Sequence, residues 1–317
     1  MRQSRSVRRL AILCMPLVAA CQSLRPTASR GSDGGRASLV RVYDTHAARW
    51  VEFSEMTRAA SQADVIFFGE QHDDPVTHRA QLDVLRAIGE RRGRVVLALE
   101  MFERDVQPLL DRYLAGAVAE SAFLAGTRPW DRYATDYRPM VELARARGWP
   151  VVAANIPRRI ASDVSRRGLP HLDTLALVER GYAAREHSCP RDRYFDRFTK
   201  SMGSHSAGGG PPAAADAAAA RSITDRFYEA QCVKDEAMGE AVAAAHLRNR
   251  GTPVLHVDGA FHSDFGLGTV ERTKRRVPDA RVVVLTAVPV ADPSAADVSD
   301  HTDRADYILF TRASPGR

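Results

Sequence analysis

The chain has 317 residues, 44% of them hydrophobic, 26% charged and 7% aromatic. That balance excludes a wholly disordered chain, and 21 Gly, 17 Pro and 4 Cys exclude collagen-like and disulfide-dense architectures. No uncharged apolar run reaches the roughly 18–20 residues of a spanning helix, so a polytopic membrane protein is excluded as well.

The formal charge of +6 owes most to the first residues, MRQSRSVRRLAILCMPLVAAC. Arg2, Arg5, Arg8 and Arg9 precede an apolar stretch over 10–20 that is too short to span, the pattern of a secretory signal. Leu17-Val18-Ala19-Ala20-Cys21 resembles a bacterial lipobox. Residues 1–20 are therefore expected to be removed as a lipoprotein signal peptide, and Cys21 to carry the lipid that anchors the chain. Gln22, rather than Asp, after that cysteine points to the outer membrane, facing the periplasm. Once four arginines leave, 41 basic residues face 39 acidic ones, which removes the main support for nucleic-acid binding. Residues 21–38 are rich in Ser, Gly and Arg and read as a flexible tether to one domain over 39–317. In an oxidising compartment the two remaining cysteines, Cys189 and Cys232, read as a disulfide, with two separate buried thiols as the alternative.

Along the domain, residues 40–53 predict two short strands around a turn. DVIFFGE (64–70) is a nearly continuous apolar run, as a strand buried on both faces requires. Asp74-Pro75 supplies an N-cap and a first-turn proline, and Val76, Ala80, Val84, Leu85 and Ile88 then recur at helical spacing. RVVLALEM (94–101) is a second buried strand, and residues 105–115 and 136–147 read as helices. PVVAANI (150–156), PVLHVDG (253–259) and RVVVLTAVPV (281–290) are further strands, and ADYILFT (305–311) is one more, expected at an edge. Between 169 and 248 the pattern is helical, and GSHSAGGGPPAAADAAAA (203–220) within it reads as a mobile loop. Together these elements predict an α/β fold: a mostly parallel sheet with flanking helices and a helical insertion over about 169–248.

Ligands bind beyond the carboxyl ends of parallel strands. There the sequence places Glu70 and His72, Glu100, Asn155, and Asp258-Gly259 followed by His262. An acid closing an apolar strand is costly without a partner, so Glu70, His72, Glu100 and His262 are read as one site. The bland alternative makes Glu70 and Glu100 helix caps. His256, alternating within a strand, reads as packed. His72 and His78 straddle Pro75, which breaks any helical relation between them but leaves them free to converge.

The blocks VIFFGEQHDDPVTHRAQLDVLRAI, LALEMFERDVQPLLDRYLAG, WDRYATDYRPMVELARARGWPVVAANIPR, FYEAQCVKDEAM and HVDGAFHSDFGLG occur in an order that resembles the ChaN-like haem-binding lipoproteins of the Tiki/erythromycin-esterase superfamily. The similarity runs from about residue 40 to 290, and two Gly-x-x-His motifs begin at Gly69 and Gly259. The resemblance implies haem binding in iron uptake, with a homodimer and an outer-membrane haem transporter as partners. Haem needs an iron ligand, an apolar slot and cations for its propionates. Trp130, Arg132, Tyr133, Tyr137 and Arg138 cluster in sequence and offer a stacking surface, a tyrosinate favoured by a neighbouring guanidinium, and propionate partners. His78 is the other iron-ligand candidate. A second function class is a metal-dependent hydrolase, a peptidase or esterase of the same superfamily. In it Glu70, His72, Glu100 and His262 are catalytic, holding a divalent transition metal or acting as general base. No HExxH, Gly-x-Ser-x-Gly or Cys-x-x-Cys-His occurs to sharpen the choice.

Overall fold

The computed structural model describes residues 39–205 and 214–314. The expected signal peptide, Cys21 and the expected tether lie outside the described residues. Strands β1 (Val40–Asp44), β2 (Arg49–Val51), β3 (Val65–Glu70), β4 (Val96–Glu103), β5 (Val151–Asn155), β6 (Val254–Gly259), β7 (Val282–Val290) and β8 (Tyr307–Arg312) make one sheet. Its order is β2-β1-β8-β7-β3-β6-β4-β5. From β8 across to β5 every pairing is parallel, and only β1 runs antiparallel, to β8 and to β2.

The apolar runs explain the layers. Every residue of β3 and of β6 is buried, because helices cover both faces. Ile66, Phe68, Leu97, Leu99, Leu255 and Val257 pack on one side. They meet α1 (Phe53–Ala60), α2 (Pro75–Arg92), α3 (Gln107–Leu114), α4 (Glu120–Thr127), α5 (Tyr133–Asp136) and α6 (Arg138–Arg147). Phe67, Val65, Val96 and Ala98 point the other way, in the two-residue alternation of a strand. After α7 (Arg158–Arg167), the segment predicted as an insertion contains α8 (Leu177–Arg180), α9 (Arg193–His205) and α10 (Ala214–Arg248). Val242 and Ala245 of α10 and Val270 of α11 (Gly268–Arg276) close that second face. The last part of α10 is thus a covering layer of the sheet.

Two expectations need correction. ADYILFT does not lie at an edge: β8 pairs with β7 on one side and with β1 on the other. The chain's first hairpin returns to cover it, leaving the edge to three-residue β2. Nor is 203–220 a loop throughout, since α9 and α10 enter it from both ends and only 206–213 falls outside the described residues. Its alanines are strong helix formers. Cys189 and Cys232 are joined, Cα to Cα 5.5 Å, tying the segment before α9 to α10. No helix among the described residues is long and apolar enough to cross a membrane.

Candidate functional site

Because β6 lies between β3 and β4, the carboxyl ends of these three strands stand side by side and present Glu70, Gly259 and Glu100. The two motif glycines allow the close packing there. A Cβ on Gly69 would lie 2.8 Å from both Ala260 Cα and Ser263 Oγ, so its absence lets the turn Ala260–His262 settle on β3. A Cβ on Gly259 would lie 2.9 Å from Cε1 and Nε2 of His72 and 3.6 Å from Glu100 Oε2. His72 and Glu100, far apart in sequence, thus meet against one glycine.

Glu70, His72, Glu100 and His262 are organised as two histidine–carboxylate pairs. His72 Nδ1 sits 2.8 Å from Glu70 Oε1. Glu70 also accepts from Tyr137 Oη at 2.5 Å and Gln81 Nε2 at 2.6 Å, and lies 3.4 Å from His78 Nδ1. His262 is 3.4 Å from Glu100 Oε1 and 2.7 Å from Asp235 Oδ1. Glu100 Oε2 accepts from the Gly259 amide at 2.7 Å. Burial opposes every charge here, yet the pairings outweigh it. Hydrogen bonds from His72 and His78 hold Glu70 below the ordinary carboxyl range, and His262 and His72 hold Glu100 down. Against burial, Glu100 and Asp235 raise His262 to about 10, Glu70 leads in raising His78 to about 9, and Glu70 and Glu100 raise His72. Asp258 behaves oppositely: burial pushes its carboxyl well up, and it keeps one hydrogen bond, from Ser263. His256 is fully buried and packs edge-on to Phe67, with burial lowering it to about 4.

Above these pairs opens a cleft of ≈ 740 Å³. Glu70, His72, Gly259 and His262 line it, with Phe198 and Met202 of α9 and Phe261 as apolar surface and Arg197, Lys200 and Arg304 as cations. His72 is 46% exposed, and its Nε2 has no hydrogen-bond partner among the described residues.

The remaining predicted residues are placed differently. His78 converges with His72, donating from Nε2 to the His72 carbonyl at 3.1 Å, but Gln81, Glu70 and Asp136 surround its buried ring. Both of its nitrogens are engaged, and its ring does not line the cleft. Tyr137 donates to Glu70, and burial and then Glu70 push its phenol up, away from the tyrosinate form. Tyr133 is buried against Phe102 and Phe123, its phenol likewise pushed up by burial. Arg132 pairs with Asp136 at 2.5 Å and Arg138 with Glu120, and neither lines the cleft. Trp130 does reach the site, its ring edge-to-face with His72 at 4.9 Å. Asn155 is buried and does not line the cleft. Among the described residues, no group of three or more His, Cys, Asp or Glu is arranged to hold a metal ion. Glu70, Glu100 and His262 are turned toward protein partners, while His72 keeps Nε2 toward the cleft.

Sequence reasoning missed Asp235 and Gln231, which approach His262 from α10. Their spacing of four, within a block already singled out, placed them on one helical face. It also missed the wall that α9 builds, although Tyr194, Phe195 and Phe198 recur at helical spacing.

Fold and site together define an α/β protein with a histidine–carboxylate cleft at the carboxyl rim of a mostly parallel sheet. The chain belongs to the family described as haem-binding uptake, Tiki superfamily, ChaN, whose family model matches residues 56–273. The resemblance read from the sequence is therefore borne out. Among solved structures, ChaN of Campylobacter jejuni with cofacially bound haem is similar at 17% identity and a TM-score of 0.64, covering 87% of this chain and 98% of that one. An erythromycin esterase, EreC, in its open conformation matches at 12% identity and a TM-score of 0.44, over 79% of this chain and 77% of the other. A toxin effector domain of Vibrio vulnificus matches at 18% and 0.41, over 77% of this chain and 37% of that one. No curated protein gives a significant match.

Proposed function

We propose that the chain captures haem in the cleft at the carboxyl rim, with His72 as the protein ligand to iron, and that it does so in iron uptake at the bacterial cell envelope. The observation that carries this reading is the Glu70–His72 pair: Nδ1 is spent on the carboxylate at 2.8 Å, which leaves Nε2 on a half-exposed ring that lines the cleft. A metal-ligating histidine generally gives its other ring N–H to a carboxylate or carbonyl, which fixes its tautomer and raises its basicity. Phe198, Met202 and Phe261 supply the apolar slot, and Arg197 and Lys200 supply cations for the propionates. The donor set and the apolar walls therefore fit the group. Haem itself brings the iron; what these side chains do is bind and orient it.

The lipobox at Cys21 supports a lipid-anchored protein of the outer membrane, facing the periplasm. A second copy of the chain and an outer-membrane haem transporter are the partners the family resemblance suggests. Haemin titrated into the purified chain is expected to give a shifted Soret band that saturates at a fixed ratio. An absorbance that follows free haemin throughout the titration removes the reading.

A further inference from the structure

Away from the cleft, a second hollow of ≈ 540 Å³ lies between the edge strand β5 and α10. Its surface is apolar where Val152, Ala241, Ala244 and Leu247 meet, and Leu247 is 45% exposed. Around that surface stand Arg104, Arg185, Arg248 and Arg276, against the carboxylates of Glu186 and Glu240. Arg104 is the anchored member: 13% exposed, it donates to Glu240 Oε1 at 3.0 Å and to the Ala237 carbonyl. Arg276 donates to Glu236 at 2.6 Å, but Glu236 is also held by Arg275 and Arg272, so it cancels little of the local charge. The exposed side chains of Arg185 and Arg248 have no carboxylate partner among the described residues. Burial first, and then the like charges of Arg276 and Arg248, lower the Arg104 pKa although Glu240 opposes them. Four guanidinium groups thus share two carboxylates in the lining, with Glu236 behind Arg276 already shared by three arginines.

We infer that this hollow binds a phosphomonoester, its dianion received by Arg185 and Arg248 with Arg104 and Arg276 behind them, and its apolar portion resting on Leu247 and the alanines. Four arginines against two carboxylates in the lining leave a surplus of two positive charges, which matches a group carrying about −1.5 to −2 at neutral pH. Guanidinium groups recognise phosphate oxygens in bidentate fashion. The apolar surface beside them gives an organic phosphate contact in addition to that made by the phosphate group alone. This inference is independent of the haem cleft, with which the hollow shares no lining residue.

Two sources have this chemistry, a soluble phosphate ester and a phosphorylated lipid headgroup. The test uses the full chain and its Arg185→Ala/Arg248→Ala double variant, both sites being exposed, with inorganic phosphate as one probe. The second probe is phosphatidylcholine vesicles containing phosphatidate, compared with phosphatidylcholine alone. Phosphate is expected to bind the native chain saturably by calorimetry and the double variant at least about tenfold more weakly. Haemin titration of the variant should be unchanged, so failure here and failure of the haem reading are distinguishable. Added retention on phosphatidate vesicles, competed by phosphate, assigns the lipid source; phosphate binding without that gain assigns a soluble ester. Absence of both responses, or full binding by the double variant, overturns the inference.

Discussion

Haemin is expected to bind the Glu70→Gln variant about 10–100-fold more weakly than the native chain. Glu70 is where four side chains converge: His72, Tyr137, Gln81 and His78. A carboxylate can accept from all of them. An amide offers one accepting oxygen and turns its NH₂ on the others, so His72 loses the partner that fixes its ring. His78 would keep Asp136 alone as a facing carboxylate, so the variant should also melt lower. The titration therefore belongs at a temperature where circular dichroism shows the variant folded. His72→Ala, which removes the donor itself, should lose at least as much affinity. Equal affinity in native and Glu70→Gln chains would mean that the carboxylate does not orient an iron ligand.

Alkali should weaken the fold over a definable window. Two buried histidines carry raised values, His262 about 10 and His78 about 9, against an ordinary 6.5. Below about pH 6.5 both folded and unfolded chains hold these protons, and the ion pairs with Asp235, Glu100, Glu70 and Asp136 contribute in full. As pH rises, the unfolded chain releases the protons first, and the stabilisation declines until the folded histidines titrate too. Tm is thus expected to be about 5 °C or more lower near pH 10 than near pH 7. His262→Gln, less stable at neutral pH, should show a shallower decline. A native Tm that stays level across that range would contradict the charge assignment.

Much of this arrangement was legible in the sequence, for physical reasons. Parallel strands covered on both faces cannot hide their composition, so DVIFFGE and PVLHVDG announce themselves, and a parallel sheet has to deliver their closing acids to one rim. That rim brought Glu70, His72, Glu100 and His262 together as expected. What sequence could not show was which groups each side chain spends itself on. Tyr137 and His78 carry groups that can ligate iron, but in the fold those groups face Glu70 and Asp136. Arg132 stands four residues before Asp136, a spacing that signals a helical ion pair as readily as a free cation. Nor does local pattern reveal that a hairpin from residue 40 closes over β8, or that α9 folds back as a wall of the cleft, because both are long-range contacts.

The central claim is best tested by a crystal structure of the haem complex, read at the iron. The account predicts that it lies within bonding distance of His72 Nε2, with the macrocycle against Phe198 and Phe261 and the propionates toward Arg197 and Lys200. Iron bound by a residue outside this cleft, with His72 still facing Gly259 and making no contact with the haem, would contradict it.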